Sequence, residues 1–196
     1  MDSHSALDNF HKTGALLKGH FKLTSGNHSD TYLQCALLMK HPEVWGAMAP
    51  ALAERLRAHL GGVKPDAVVG PAIGGIIVAY ELSRALGTSA LYMERLSTTN
   101  KFALRRGFSL KSGDTAVVCE DVVTTGGSAR EVVEVLQGMG VKVLAVAGIV
   151  DRSGGTVSFG VPFASLVTLN PPLYKPEECP LCKAGHPVET PGSKGV

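Results

Sequence analysis

Apolar runs alternate with amphipathic segments through the middle of the chain. The runs that predict strands cover residues 66–69, 89–93, 115–119, 141–150 and 161–169. Between them, residues 74–86 and 127–139 carry apolar side chains at the three- and four-residue spacing of a helix. Strands that are apolar at almost every position are typical of a parallel sheet covered on both faces. The pattern therefore predicts an α/β fold with a mostly parallel central sheet flanked by helices.

The two ends of the chain follow a different pattern. Residues 4–18 predict an amphipathic helix, and two short strands are expected on either side of a turn at residues 25–27. A longer helix is expected to begin near Pro42, which a first turn tolerates, and to end at the glycines 61–62. Residues 171–196 are rich in proline and lysine and predict a tail that lies on the surface or is partly disordered.

The composition is that of a folded protein. The 196 residues are 44% hydrophobic and 18% charged, which excludes a disordered chain. The net charge of +2 gives no overall electrostatic footprint for nucleic acid or for an acidic membrane. No apolar run approaches the roughly 20 residues of a bilayer span, and the N-terminus shows no secretory signal. Together with only four cysteines, these features predict a cytoplasmic protein with no nucleic-acid and no membrane partner.

The most specific motif is AVVCEDVVTTGGSAREVVEVL, at residues 116–136. A buried strand ends in two adjacent carboxylates, Glu120 and Asp121, and a turn rich in hydroxyls and glycine then leads into a helix. Ligands of open α/β sheets bind at the carboxyl ends of strands, and a helix N-terminus offers free N–H groups to a phosphate. Carboxylates can accept hydrogen bonds from vicinal sugar hydroxyls. The segment therefore predicts a site for a ribose 5-phosphate.

Two better-known phosphate motifs do not occur in the sequence. There is no G-x-x-x-x-G-K-[ST] and no G-x-G-x-x-G after a strand, which excludes a P-loop and a dinucleotide fingerprint. A plain strand–turn–helix connection with Ser128 as the helix N-cap is the structural alternative. That alternative gives no reason for two acids at the end of a buried strand.

Residues 116–136 resemble the phosphoribosyl pyrophosphate motif of the type I phosphoribosyltransferases. Three further segments resemble the orotate phosphoribosyltransferase branch of that family: GHFKLTSGNHSDTYLQC, ERLSTTNKFALRRGFSLKSGD and VDRSGG. The match runs in the expected order over roughly residues 10–170. It implies one phosphoribosyltransferase domain at residues 1–170, which includes a small N-terminal hood at about residues 1–40 and a flexible flap at about residues 95–112. Residues 171–196 would form a C-terminal tail.

The resemblance implies that the acidic pair holds the ribose hydroxyls and that the turn holds the 5-phosphate. Phosphoribosyl pyrophosphate would then contact Arg95 as well as Glu120, Asp121, Val122, Val123, Thr124, Thr125, Gly126, Gly127 and Ser128. The glycine-rich segment 70–75, which includes Gly74, would direct backbone amides at the pyrophosphate. Glu120 stands where the family usually has aspartate, and Gly74 stands where some members have lysine. Near the N-terminus, Thr24 stands where the family often has a lysine, and Lys22 is a candidate replacement.

By the same resemblance, orotate would be bound by Thr124 and Arg152, with Tyr32 and Leu33 beside its ring. An arginine fork pairs well with a planar carboxylate, which agrees with this role for Arg152. Two alternatives stay open from the residues alone. Arg152 could form a surface ion pair with Asp151, and Tyr32 and Leu33 could be core residues of the hood.

The segment at residues 95–112 is basic and contains no acid. Its cationic side chains are Arg95, Lys101, Arg105, Arg106 and Lys111. A mobile basic flap suits closure over a pyrophosphate, and a solvated basic loop is the alternative. The resemblance implies that the flap reaches the site of a neighbouring subunit, so that a homodimer is active. It also implies that the catalytic groups are Asp121, Arg95, Arg105 and Arg106, with Mg²⁺ acting mainly through the substrate.

Cys179-x-x-Cys182, followed by His186, suggests a zinc site in the tail. A structural zinc ion needs about four ligands, however, and only these three cluster in sequence. Pro180 and Pro187 favour a rigid turn instead. From the sequence we therefore favour a tail without metal.

The predicted reaction joins orotate to phosphoribosyl pyrophosphate and gives orotidine 5′-phosphate and pyrophosphate, in de novo pyrimidine (UMP) biosynthesis. The ring nitrogen would attack C1 as pyrophosphate leaves through an oxocarbenium-like state, so the protein would mainly position the substrates and stabilise charge. One alternative is a purine phosphoribosyltransferase of the same fold. The other is a non-catalytic nucleotide-sensing regulator, for which no basic helix-turn-helix precedes residue 20.

Overall fold

The computed structural model describes residues 1–23 and 25–191, and its centre is a six-stranded sheet. The strands are β1 (Leu16–Lys22), β2 (His28–Leu33), β3 (Ala67–Pro71), β4 (Ser89–Arg95), β5 (Phe102–Leu104), β6 (Thr115–Val123), β7 (Lys142–Asp151) and β8 (Phe163–Thr168). The helices are α1 (Ser3–Lys12), α2 (Cys35–Met39), α3 (Pro42–Leu60), α4 (Gly74–Leu86), α5 (Gly127–Gly138) and α6 (Pro180–Lys183). The central sheet has the order β5-β4-β3-β6-β7-β8 and is parallel except at β5. The predicted α/β class with a mostly parallel sheet is confirmed.

Helices cover both faces of the central sheet. Alternate residues of a strand point to opposite faces, so Val68 and Val117 join the core under α3 and α4, whereas Val69 and Val118 join the core under α5. Both faces are thereby removed from water, which is why these strands are apolar throughout. Among the helices of the described residues, none has the length and hydropathy that a bilayer span needs.

The N-terminal helix is shorter than the sequence predicts. The pattern suggests a helix over residues 4–18, but α1 ends at Lys12, and Leu16 already belongs to β1. Gly14 has a φ of 67°, a left-handed conformation that lets the chain leave the helix. Of the predicted hood, only β1 and β2 form a separate antiparallel sheet, because α1 packs on β8 and α2 packs on α3.

The tail is ordered where the structure describes it, and it lies on the β1–β2 hairpin. Tyr174 exchanges two backbone hydrogen bonds with His28, with N–O distances of 2.8 and 2.9 Å. Glu189 pairs in parallel with β1, because its N–H donates to the His20 carbonyl and its carbonyl accepts from Lys22. Residues 174–189 therefore border both strands of the hairpin, and the last five residues of the predicted tail lie outside the described part.

The predicted loop at residues 95–112 contains a strand that the sequence analysis does not predict. β5 is only three residues long and pairs antiparallel with β4 at the edge of the sheet. Its register places Arg95 opposite Phe102, and the Arg95 guanidinium lies 4.0 Å from the centre of the Phe102 ring. Three residues are too few to show the alternation of apolar and polar positions that identifies a strand, so the sequence does not predict β5.

Candidate active site

The acidic pair lies inside a strand rather than after it. β6 continues to Val123, because Glu120 pairs with Gly148 and Val123 pairs with Asp151 of β7. Successive side chains of a strand point to opposite sides, and accordingly Glu120 and Asp121 line two different cavities. The sequence analysis places both carboxylates at one site, and the structure places them on the two sides of one strand end.

The two cavities adjoin each other at Val122, Thr124 and Thr125, which line both. The larger has a volume of about 560 Å³ and is lined by Asp121 and Arg152 together with residues of the hairpin and the tail. The smaller has a volume of about 410 Å³ and is lined by Glu120, Arg95 and the start of α5. A ligand with two distinct halves could occupy both cavities and pass the end of β6 between them.

Glu120 holds its proton more tightly than an ordinary carboxyl group. Burial, and after it the neighbouring carboxylate of Asp121, raises the pKa of Glu120 from 4.5 to about 8. At neutral pH Glu120 is therefore mainly protonated, and its carboxyl can both donate and accept a hydrogen bond. A site with this property suits a partner that offers hydroxyl groups.

The raised pKa of Glu120 predicts that Glu120→Gln stabilises the folded protein, by an amount that depends on pH. Between pH 4.5 and 8 the folded chain keeps a proton that the unfolded chain releases, so the parent loses stability as pH rises through this window. Glutamine has no such proton, and we expect the variant to be more stable by roughly 1–3 kcal/mol at pH 8 and nearly equal near pH 4.5. Urea unfolding at several pH values measures the difference.

Glu134→Gln is the matched control for Glu120→Gln, since Glu134 is an exposed carboxyl on α5. The unfolding free energy of Glu134→Gln should change with pH in the same way as that of the parent. A Glu120→Gln curve that also runs parallel to the parent would contradict the assignment of a buried, protonated carboxyl.

The turn after β6 brings a helix N-terminus to the smaller cavity. Gly126 is the N-cap of α5 with a φ of 74°, and a Cβ at this position would lie 2.7 Å from Val157 and 2.8 Å from Phe159. Only glycine fits both the conformation and the space. The first N–H groups of a helix have no intrahelical acceptor, and Gly127 and Ser128, the first two residues of α5, line this cavity. The turn therefore offers the donors that a phosphate group requires.

Arg152 lies half-buried at the larger cavity, and its Nε is the one buried side-chain N or O atom of the described residues that has no hydrogen-bond partner. Burial lowers the pKa of its guanidinium. The alternative ion pair with Asp151 is wrong, because the Asp151 carboxylate accepts hydrogen bonds from Ser153 and from the Gly155 N–H. A cationic side chain with an unpaired donor in a cavity favours an anionic ligand there.

Tyr32 and Leu33, at the end of β2, both line the larger cavity. Leu33 is also buried in the core, so it can be a core residue and a part of the cavity wall at the same time. Burial raises the pKa of the Tyr32 hydroxyl, which keeps it neutral and able to donate a hydrogen bond. Thr24 lies outside the described residues, and Lys22 is exposed and does not line the cavity, although Leu23 does.

Several lining residues were missed by the sequence analysis. Gln34 and Cys35 follow β2 at the wall of the larger cavity, and Leu173 reaches it from the tail. Burial raises the pKa of the Cys35 thiol well above its usual value, so this group is an uncharged part of the wall. Glu131 of α5 lines the smaller cavity and binds Arg95 at 2.9 Å. Neither cysteine nor leucine carries a binding signal in sequence, and these contacts depend on the tertiary fold.

The glycine-rich segment between β3 and α4 meets the acidic pair. A Cβ on Gly74 would lie 2.7 Å from Oδ2 of Asp121, so the absence of a side chain leaves that carboxylate its room. A Cβ on Gly70 would overlap the carbonyl group of Gly75, which brings the strand end and the helix start into direct contact. The structure thus places the predicted segment 70–75 beside Asp121.

The three arginines predicted to be catalytic have different surroundings. Arg95 borders the smaller cavity, held by Glu131 and by the carbonyl of Asn100. Arg106 forms two hydrogen bonds with the carboxylate of Glu94, at 2.9 and 2.8 Å. Arg105 is exposed. Within the described part of a single chain, neither Arg105 nor Arg106 lines either cavity.

Comparison with known proteins gives the same assignment as the motif. The family model of the phosphoribosyl transferase domain matches residues 38–158. An orotate phosphoribosyltransferase of Heliobacterium modesticaldum is 50% identical over 194 residues, which covers 99% of this chain and 100% of that protein. One of Carboxydothermus hydrogenoformans is 54% identical over 180 residues, or 92% of each chain.

A solved structure supports the fold as well as the family. The crystal structure of orotate phosphoribosyltransferase from Aeropyrum pernix matches with a TM-score of 0.71 and 30% identity. The match covers 83% of this chain and 92% of that one.

Proposed function

Because the chain belongs to the phosphoribosyltransferase family, and within it to the orotate phosphoribosyltransferases, we propose how its two cavities divide the substrates. Orotate binds in the larger cavity, and the phosphoribosyl group of phosphoribosyl pyrophosphate binds from the smaller cavity across the end of β6. The products are orotidine 5′-phosphate and pyrophosphate, in pyrimidine synthesis. A purine base is the less suitable occupant, because it offers no carboxylate to Arg152.

The observation that carries this division is the unpartnered guanidinium of Arg152. Its Nε is buried without an acceptor, and Asp151, the nearest acid in sequence, is bound elsewhere. Arg152 lines the larger cavity, where the carboxylate of orotate can pair with its guanidinium in the planar geometry that an arginine fork prefers. Tyr32 and Leu33 then face the ring, and Thr124 lies between orotate and the sugar.

The ribose lies at the end of β6, where the two cavities meet. Its hydroxyls interact with Glu120 on one side and with Asp121 on the other, and its 5-phosphate binds at the turn 124–128. The nitrogen of orotate then faces C1 while pyrophosphate departs on the side of Gly74 and Arg95. The chain needs no covalent nucleophile for this reaction, because fixed orientation and a nearby negative carboxylate favour an oxocarbenium-like state.

Mg²⁺ fits the strand end through the carboxylate of Asp121, which lies beside Gly74, where the pyrophosphate is proposed to bind. A carboxylate oxygen is a ligand that this cation prefers, whereas Glu120 keeps its proton at neutral pH. We propose that the ion is bound mainly through the pyrophosphate and ribose oxygens of the substrate. When bound, it would neutralise charge that develops on the leaving group.

An orotate-dependent assay of pyrophosphate release tests the proposed function. We expect turnover with orotate and phosphoribosyl pyrophosphate in the presence of Mg²⁺, and none with adenine, hypoxanthine or xanthine. Turnover should also stop when Mg²⁺ is omitted from the buffer. Equal turnover with a purine base, or full activity without Mg²⁺, would contradict the corresponding part of the proposal.

We further propose that the protein acts in the cytoplasm as a homodimer, with the flap reaching the partner's site. A row of exposed apolar side chains begins in the glycine-rich segment 70–75 and continues along α4. Ile73 is 84% exposed, Ile77 44% and Tyr80 64%. Ile73 is the N-cap of α4, and Ile77 and Tyr80 follow it at the spacing of one helix face. Such an apolar stripe is typical of a subunit interface.

Tyr80→Glu should convert the dimer to a monomer, because a carboxylate would then be buried within this stripe. Light scattering after size-exclusion chromatography measures the mass, and activity should fall along with it because the flap acts in trans. Val63→Glu, at a 45% exposed position on another surface, should leave the mass unchanged. A monomeric parent, or a dimeric Tyr80→Glu variant, would overturn this interface.

A further inference from the structure

A second cluster of chemically active side chains lies away from both cavities. It consists of His20 of β1, His28 of β2, and Cys179 and Cys182 at the start of α6. Their ligand atoms all lie within 4.8 Å of one another, and all but Cys182 are buried. The sequence analysis grouped the two cysteines with His186 and found too few ligands for a metal ion. The structure supplies two histidines from a distant segment and brings the number to four.

The distances within the cluster suit a single small ion. His20 Nε2 lies 2.8 Å from His28 Nδ1, 3.4 Å from Cys179 Sγ and 3.5 Å from Cys182 Sγ, and Cys182 Sγ lies 3.2 Å from His28 Nδ1. A tetrahedral zinc site with its usual bond lengths holds ligand atoms about 3.3–3.8 Å apart. The shortest pair would need to open by about 0.5 Å, and the longest separation, at most 4.8 Å, would need to close by about 1 Å.

The ring of His20 is already oriented for coordination. Its Nδ1 lies 2.9 Å from the backbone carbonyl of His186, and a carbonyl can only accept, so Nδ1 carries the hydrogen in the neutral ring. The lone pair is then on Nε2, which points at the other three ligand atoms. Metal-bound histidines commonly donate their second N–H in this way. His186 thus contributes its backbone carbonyl, which corrects the grouping suggested by the sequence.

The backbone holds the two halves of the cluster together on both sides. Tyr174 pairs with His28 ahead of the cysteines, and Glu189 pairs with the His20 region after them. Between these two contacts, Pro180 starts the short turn of α6, the Lys183 N–H donates to the Cys179 carbonyl, and both thiols face the hairpin. The tail crosses the hairpin so that the Cys-x-x-Cys turn lies over the two histidines.

We propose that His20, His28, Cys179 and Cys182 bind one Zn²⁺ ion, which joins the C-terminal tail to the N-terminal hairpin. Two thiolates and two neutral imidazoles balance the charge of the ion, so that the buried site is neutral overall. With four protein ligands the coordination is complete, which indicates a structural and not a catalytic ion. The proposal does not depend on the substrates assigned above.

Metal content measured on untagged protein tests this directly. After purification under reducing conditions and desalting, elemental analysis should give about one zinc per chain. Replacement by Co²⁺ should produce the visible absorption of a tetrahedral site with thiolate ligands. Removal of zinc with a chelator should lower Tm and expose the tail to trypsin at Lys183, and added Zn²⁺ should reverse both effects.

Variants separate the ligands from their neighbours. Cys182→Ser and His28→Asn should each lose zinc, whereas His186→Ala should keep it, because only the backbone carbonyl of that residue takes part. Protein without zinc that also fails to take it up from solution would overturn the proposal, as would a Cys179–Cys182 disulfide found by mass spectrometry in reduced, fresh protein. Zinc retained in both ligand variants would overturn it equally.

Discussion

Asp121→Asn is expected to lower kcat by about 10²- to 10³-fold while the fold stays intact. Asp121 lies between the larger cavity and Gly74, and its Oδ1 accepts the N–H of Val122 at 2.8 Å. In the proposed reaction its negative charge stabilises the positive charge that develops on the ribose. Asparagine has nearly the same shape and removes that charge. Steady-state kinetics with both substrates saturating measures the loss, and thermal unfolding confirms the fold.

Asp8→Asn is the matched control, since Asp8 is an exposed carboxylate on α1. It makes the same chemical change and should leave kcat unaltered. Turnover close to the parental rate in Asp121→Asn would rule out the ribose assignment. A loss confined to the KM for orotate would place Asp121 at the base instead of the sugar.

Arg152→Ala should raise the KM for orotate by about 10- to 100-fold, the loss expected for a charge-assisted bidentate hydrogen bond. The KM for phosphoribosyl pyrophosphate should change far less, because Arg152 lines only the larger cavity. The same substitution removes a buried N–H that lacks an acceptor, so the free protein should not lose stability. Initial rates with each substrate varied in turn, together with urea unfolding, measure both effects.

Two further variants sharpen the assignment of Arg152. Arg152→Lys keeps the charge but not the planar fork, and it should recover only part of the affinity for orotate. Arg57→Ala removes an exposed arginine that binds Glu54 and the Ala85 carbonyl, and it should leave both KM values unchanged. Equal losses for the two substrates in Arg152→Ala would contradict a role in binding the carboxylate.

The parts of the site that are contiguous in sequence were predictable. Glu120, Asp121 and the turn 124–128 lie on one strand, one turn and one helix start, and local patterning identifies all three. Pairing with β7 extends β6 by four residues past its predicted end at Cys119, so the acids lie within it and face opposite sides. That extension depends on a neighbouring strand, and the sequence of β6 alone does not contain it.

The parts that join distant segments were not predictable. His20 and Cys179 are 159 residues apart, and neither lies in a pattern that points to the other. Leu173 enters the cavity wall only because the tail crosses the hairpin. The error over residues 4–18 has a local cause, since Leu16 continues the helical spacing of apolar positions although Gly14 ends the helix.

The crossing of the hairpin by the tail also sets an order of events during synthesis. At 5–20 residues per second, a ribosome needs roughly 8–32 s to reach Cys179 after it has made His20, which is 159 positions earlier. An isolated two-stranded hairpin is at best marginally stable in water. The hairpin therefore stays without its tail contacts until residues 174–189 have been made, and Leu173, which lines the larger cavity, is among the last residues of that wall to be synthesised.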